Sequence, residues 1–569
     1  MHKPKHHRHH HPATRALFLA ATLAALAAAA PLAAAIDLIP NGNLETPDPA
    51  DPAGWPDKWP RPETGVTWEK DPETGNRFLR LTARTPDQMI LLYTRHYFPK
   101  DTPKPQALEL AWSERLTNFK RGAAQWHDAR IMIEFLDATD RKITEGPAAK
   151  PRHPFTNRDT PGWIQRKTGI LVPADAAAIV LMYSLIQAQS GAWDIDDLHL
   201  TPTDPAALEA AAARRAAEEK ARHVPDETPD KTKWPPELHV TGNKIHTTDG
   251  REIHLRGLST SGMETLHQDQ QGPKTLLVAI EQWKANILRL PIRDDHWFGQ
   301  TPGQKDGGET YRKQVDKILT LAANRGAYLL IDLHRFRAPR PEHADFWTDA
   351  ATRYRNHPAA LFDLFNEPHG MSWEVWRNGG QLNTTQDKEK LDEDTFLTPE
   401  ERAKKTAANH TIGMQALVKA VRATGARNLI LASGLSWSYD LTGIANGYAL
   451  DDPGGNGIVY SWHAYNWHRD WTTRLGNVPQ THPILVAEFG ADVKKMEFIP
   501  HKDQEEPNTW VPDMLGYIQK NNFHYTAWCF HPAATPVLIS DWNYTPTPFW
   551  GAFAKRALAG EKFEMKRER

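Results

Sequence analysis

The sequence predicts an α/β protein: an antiparallel β-sandwich over residues 36–202, then a (β/α)8 barrel over residues 236–562. Three observations carry this. Short apolar runs separated by Pro, Gly, Asn and Asp fill the first region, the pattern of a sandwich. In the second, short apolar runs alternate with stretches whose apolar residues recur at roughly 3.6 spacing, the pattern of parallel strands with helical crossovers. Two of those runs end at a glutamate, Glu367 and Glu488. Buried parallel strands end this way when they deliver a side chain to their C-terminal rim.

Taken in order, residues 1–35 read as an export signal. Lys3, Lys5, Arg8 and Arg15 precede an apolar stretch from Ala16 to Ala30, and Ala33-Ala34-Ala35 offers a small-x-small cleavage site. The stretch is short and alanine-rich for a permanent anchor, so the expectation is a secreted protein, periplasmic or extracellular. Strands of the sandwich are expected at Val66–Glu69, Phe78–Leu81, Ala107–Trp112, Ile131–Leu136 and Ala178–Tyr183. Residues 203–235 change in composition: Asp204 and Pro205 start a helix to about Arg222, and a Pro/Asp/Lys/Thr stretch follows. This segment reads either as a semi-rigid linker or as a helix docked on one domain.

Eight barrel strands are expected: Ile253–Leu258, Ala285–Leu290, Tyr328–Leu333, Leu361–Phe365, Leu429–Ala432, Ile458–Trp462, Ile484–Ala487 and His524–Phe530. Helical patterns lie between them at Thr275–Lys284, Tyr311–Asn324, Phe346–Arg355, Glu400–Ala423 and Trp510–Lys520. Eight such units close a barrel whose active site belongs at the strand C-termini. The fourth connection is long, from Gly370 to Thr398, and is expected to shape a cleft on that face.

Composition excludes some functions. Lys+Arg total 68 and Asp+Glu 70, a net charge of -2, which attracts neither nucleic acid nor an anionic membrane. The single cysteine, Cys529, permits no intrachain disulfide, so stability must come from core burial. Tryptophan is heavy at 21 residues, and flat aromatic rings suit saccharide faces as well as protein cores.

The strand ends carry a polar set. Strand two brings Arg289, strand three His334, strand four Asn366 and Glu367, strand six His463 and Tyr465, strand seven Glu488, and strand eight Trp528. Packing alone does not explain such a rim. Cleaving an acetal needs a proton for the leaving oxygen and a charge to stabilise an oxocarbenium-like carbon, and two carboxyl groups in different environments supply both. An arginine or tyrosine beside one keeps it ionised, while a histidine and an apolar wall beside the other favour its protonated form.

These residues resemble glycoside hydrolase family 5, the cellulase and mannanase family of retaining (β/α)8 enzymes, over most of residues 240–555. Leu364-Phe365-Asn366-Glu367-Pro368 is similar to the family's acid/base signature, and Ala487-Glu488-Phe489-Gly490 to its nucleophile signature. The resemblance implies Glu367 as acid/base and Glu488 as nucleophile, with Arg289, His334, Asn366, His463, Tyr465 and Trp528 as substrate-binding and supporting residues. It also implies a covalent glycosyl-enzyme intermediate, a β-linked polysaccharide or oligosaccharide as substrate, and no metal or organic cofactor. The first region, from Leu38–Glu45 to Trp193–Leu198, resembles jelly-roll carbohydrate-binding modules of the family 4/9 type. Trp55, Trp59, Trp68, Trp112, Trp126 and Trp163 are its candidate platforms, and Asp196 and Asp197 candidate calcium ligands.

The leading expectation is a monomeric, secreted endo-β-1,4-glucanase. The same catalytic pair would serve β-mannan, xyloglucan or exo-acting cleavage, with the loops choosing the substrate. A catalytically silent glycan binder and a metallohydrolase using His334 and His463 are the readings of other classes; the second lacks a His-x-His pair on the first strand, where only His254 stands.

Overall fold

The computed structural model describes residues 36–122, 126–264, 271–382 and 410–569. The expected export segment, most of the long fourth connection and the start of the expected Glu400–Ala423 helix lie outside the described residues. The chain divides between Glu219 and Lys220 into two compact units.

In the first unit, strands Ile90–Tyr97, Ala178–Leu185, Ala129–Leu136 and Phe155–Thr156 form a four-stranded sheet in that order. Strands Val66–Lys70, Arg77–Ala83, Ser190–Pro202, Ala107–Lys120 and Ile164–Leu171 form a five-stranded sheet. Neighbours pair antiparallel, and period-two alternation sends Leu79, Leu81, Ile131, Ile133, Trp193 and Ile195 into one core. Trp55, Trp59 and Trp112 belong to this core, Trp68 and Trp163 are half-buried, and Trp126 is exposed. Asp196 is buried, with one oxygen accepting from Asn76 Nδ2 and the other from the Asp197 amide, both at 2.7 Å. A helix, Ala206–Arg222, follows the sandwich.

The second unit is a closed barrel of eight parallel strands. They are β1 (Arg256–Ser259), β2 (Ile287–Ile292), β3 (Tyr328–Leu333), β4 (Ala360–Asp363), β5 (Ile430–Ser433), β6 (Ile458–Tyr465), β7 (Ile484–Gly490) and β8 (His524–Ala527). Helices Glu309–Ala323, Pro341–Arg353, Met414–Ala423 and Pro507–Lys520 are among its crossovers. The first strand begins three residues later than the apolar run at Ile253 suggests. Ile253 and Leu255 instead pack with a hairpin, Leu238–Thr241 and Lys244–Thr247. Leu238 and Ile245 of that hairpin join Ile287, Leu330, Leu361, Val459 and Leu485, so the hairpin extends the apolar interior at the N-terminal end of the strands. The stretch after residue 223 lies on the barrel: Lys317 Nζ donates to the Val224 carbonyl at 2.6 Å, and the Trp234 ring lies 4.2 Å from that of His357. Among the described residues no helix is long and apolar enough to cross a membrane.

Candidate active site

The barrel interior is layered by the period of the strands. Ile287, Leu330, Leu361, Leu431 and Val459 form an apolar layer. Two residues further along each strand, on the same face, stand Arg289, Asp332, Asp363, Ser433 and Ser461, all buried. A polar layer therefore lies on the apolar one, toward the C-terminal mouth where a (β/α)8 barrel carries its site.

Arg289 is the hub of this layer. Its Nε donates to Asp363 Oδ2 at 2.9 Å, Nη1 to Glu488 Oε1 at 2.7 Å and Nη2 to Asn366 Oδ1 at 2.7 Å, while Asp332 Oδ2 lies 3.0 Å from Nη2. One buried cation thus faces three carboxyl groups. Burial pushes the Asp332 carboxyl up to about 7 and the Asp363 carboxyl well above the usual range, against the opposing pull of Arg289. The Oδ1 atoms of both have no hydrogen-bond partner among the described residues.

Glu488 reaches this hub because of a bulge. Ala487 packs in the inner cluster and Phe489 in the outer one, and strict alternation would turn Glu488 toward the helices. The pairing with β6 skips a residue: Trp462 faces Val486, and His463 faces Glu488. The extra residue re-aims the glutamate into the mouth. There Tyr465 Oη donates to Glu488 Oε2 at 2.6 Å. Burial, then the Glu488 charge, holds the Tyr465 hydroxyl protonated, well above its ordinary range.

Glu367 stands four residues beyond the end of β4, in a two-residue strand, Glu367–Pro368, paired with Phe336–Arg337. Its Oε1 lies 2.9 Å from His463 Nδ1, which also sits 3.7 Å from Glu488 Oε2. Burial keeps His463 neutral, well below the usual histidine range. One donor atom each from Glu367, His463 and Glu488 all lie within 4.8 Å of one another. This is the one gathering of three such donors among the described residues. It is a poor cation site, because the Arg289 guanidinium and the Tyr465 hydroxyl already engage the two oxygens of Glu488. His334 Nδ1 lies 2.7 Å from Asp332 Oδ2, and its ring stacks parallel to Trp528 at 5.9 Å.

All eight residues singled out from the sequence therefore converge on one mouth. Sequence reasoning passed over Asp332 and Asp363, the carboxyl groups behind Arg289; their signal is the two-residue step from the inner apolar layer. Of the other tryptophans in the connections beyond the strand ends, Trp297 and Trp471 are wholly buried core residues. Trp437 stacks on His369 at 4.4 Å and Trp467 on Tyr465 at 4.8 Å, both partly exposed.

Paired carboxylates at the C-terminal mouth of a (β/α)8 barrel, one tied to an arginine and a tyrosine and the other to a neutral histidine, define a glycoside hydrolase. Residues 246–534, about half the chain, match the family described as cellulase (glycosyl hydrolase family 5). The chain belongs to that family. An endoglucanase of Paenibacillus polymyxa is 23% identical over 54% of this chain and 83% of the relative. Endoglucanase E-5 of Thermobifida fusca is 21% identical over 45% of this chain and 48% of its own length, so the chain spans about half of that protein. The crystal structure of the native β-glucanase SdGluc5_26A from Saccharophagus degradans aligns with a TM-score of 0.46 and 23% identity, over 59% of this chain and 98% of that one.

Proposed function

We propose that this glycoside hydrolase is a retaining endo-β-1,4-glucanase that acts outside the cytoplasm. Glu367 is the general acid and then base, and Glu488 the nucleophile. The observation that carries the roles is the asymmetry of the pair. Arg289 and Tyr465 both donate to Glu488, which fixes both of its oxygens in place, as an attacking group needs. Glu367 lies beside the neutral imidazole of His463 and is the more exposed of the two, open to the leaving oxygen. Retaining enzymes hold their carboxyl groups roughly 5–5.5 Å apart, closer than inverting ones, and one carboxyl oxygen of Glu367 lies within 4.8 Å of one of Glu488, which supports that class. The names of the relatives support β-glucan as the substrate. The basic, alanine-rich start of the sequence supports export.

The mechanism follows from these contacts. Glu488 attacks the anomeric carbon while Glu367 protonates the departing oxygen, giving a glycosyl ester on Glu488. Glu367, now ionised, takes a proton from water, which attacks the same carbon and releases the sugar with its configuration retained. The test is release of reducing ends from β-glucan, mannan and xyloglucan, with and without chelator, followed by proton NMR of the first-formed anomer. Equal activity with chelator and a β-anomer first are expected. An α-anomer first would refute retention, and preference for mannan would move the substrate within the same chemistry.

The sandwich is proposed to bind glycan as well. The support is a row of exposed side chains on strand Ile90–Tyr97, where Tyr93 and Tyr97 alternate with buried residues and Arg95 donates to both hydroxyls at 3.2 and 3.0 Å. Tyrosines fixed in this way present flat faces at little entropic cost. Co-sedimentation of the full chain with insoluble β-glucan, before and after Tyr93→Ala and Tyr97→Ala, reads this directly.

A further inference from the structure

Asp332 sits at a junction that the catalytic pair does not use. It lies on β3 two residues before His334, so both side chains project from the same face of the strand. A single oxygen, Asp332 Oδ2, lies 2.7 Å from His334 Nδ1 and 3.0 Å from Arg289 Nη2. Arg289 has nothing but donors, and Asp332 Oδ1 has no partner among the described residues, so a proton on this carboxyl is best placed on Oδ1 and leaves Oδ2 to accept. Asp332 is wholly buried, whereas the His334 side chain keeps 20% exposure beside Trp528.

We propose that Asp332 is a positioning residue for substrate binding: it fixes His334 as the tautomer with the proton on Nδ1, so that Nε2 reaches the cleft as a hydrogen-bond acceptor for a sugar hydroxyl. The inference rests on the glycosidase reading of this mouth and adds a role which that reading leaves unassigned. Burial holds His334 down to about 4, so its ring is neutral at ordinary pH and has one donor nitrogen and one acceptor nitrogen. Which nitrogen carries the proton is set by the partner of the other. The parallel ring of Trp528 holds the plane of the imidazole, and Asp332 holds its rotation within that plane. Without Asp332 the two tautomers become comparable. A ring with its proton on Nε2 would meet the same hydroxyl as a donor.

The test is a double-mutant cycle on the full chain, with steady-state hydrolysis of soluble β-glucan as the readout. Asp332→Leu removes the acceptor but leaves Arg289 with Asp363, Asn366 and Glu488. We expect KM to rise about tenfold, the worth of one oriented hydrogen bond, with kcat changed far less. In a His334→Ala background the same substitution should do nothing further, because its effect runs through the ring. Asp332→Asn should restore a near wild-type KM: its carbonyl oxygen takes the place of Oδ2, since its amide would face two donors. The inference fails if Asp332→Leu costs as much without His334 as with it, which would mark a role through Arg289 or the fold. It also fails if the asparagine variant is as impaired as the leucine variant. Should Asp332→Leu not fold, Asp332→Ala enters the same cycle. Wild-type protein that cleaves no β-glycan would overturn the glycosidase reading and this inference together, an outcome distinct from either of the others.

Discussion

Arg289 and Glu488 meet at 2.7 Å in the barrel mouth, the first fully buried and the second nearly so. The glutamate is therefore held by a cation that solvent does not screen, in a setting where a hydrogen-bonded ion pair is strong. The same guanidinium reaches Asp363 with Nε and Asn366 with Nη2. Only a planar fork can serve these directions together.

Arg289→Lys should therefore be a severe change despite keeping the charge. A lysine ammonium can reach Glu488 or Asp363 but cannot span both. kcat/KM is expected to fall by about two to three orders of magnitude, the usual cost of removing a preorganised donor from a reacting centre. Denaturant unfolding should also show a loss of stability, because lysine leaves buried acceptors of the fork without a donor. A variant with wild-type kcat/KM would show that the fork is dispensable.

Tyr465→Phe isolates the second contact of the nucleophile. It removes the hydroxyl that donates to Glu488 Oε2 at 2.6 Å and leaves the ring stacked on Trp467. The expected result is a fall in kcat of about ten- to a hundredfold, for one hydrogen bond to a charged group. The melting temperature should hardly move, since the ring still packs. Steady-state kinetics and thermal melts on the same preparation check both halves.

Much of this site is legible along the chain, for a physical reason. Interior positions of a barrel strand recur every second residue, so apolar Leu330 announces Asp332 and then His334. The bounds of β3 follow from the apolar run Tyr328–Leu333 without adjustment. Two features are not written so locally. The inward aim of Glu488 depends on a skipped pairing between β6 and β7, a property of two strands together. The partners of Arg289 come from β3, β4, the segment just past β4, and β7, and nothing in Leu288-Arg289-Leu290 names them. The hairpin at residues 238–247 was readable: Gly242-Asn243 between two short runs is a two-residue turn signal. Its polar neighbours hide it, because only Leu238, Val240 and Ile245 face the apolar interior.

Thermal stability should fall as the protein is acidified from about pH 6.5 toward pH 4. Burial lowers His468 and His524 to about 3, and His334 and His357 to about 4. In the unfolded chain these groups titrate near about 6.5. As pH drops below that value the unfolded state takes up protons that the folded state refuses, and stability is lost until the folded values are passed. Asp332 acts in the opposite sense: with its carboxyl at about 7, its contribution is present at low pH and is lost as pH rises through that value. With His343 also lowered to about 4 and His463 well below its ordinary range, six buried histidines outnumber the three raised carboxyls, Asp332, Asp363 and Asp196, so the net slope follows the histidines. Melting temperatures measured at constant ionic strength across this range should decline on acidification; a flat or rising profile would overturn the assignment of neutral buried imidazoles.

The two glutamates should fail differently when removed. Glu488→Ala takes away the attacking atom, so every substrate should stop turning over, however good its leaving group. Glu367→Ala removes only the proton donor and the later base. A substrate whose leaving group departs without a proton, such as a dinitrophenyl β-cellobioside, should still glycosylate Glu488 at close to the wild-type rate and then stall, because no base activates water. Added azide needs no base and fits the space that the glutamate side chain vacates. It should restore turnover and yield a β-glycosyl azide, the product of a second inversion at the same carbon. Polysaccharide, whose leaving hydroxyl needs the proton, should gain little from azide. The anomeric configuration of the azide product decides the mechanism: a β-azide from Glu367→Ala requires a covalent intermediate on Glu488, whereas an α-azide would mean direct displacement and would remove the nucleophile assignment.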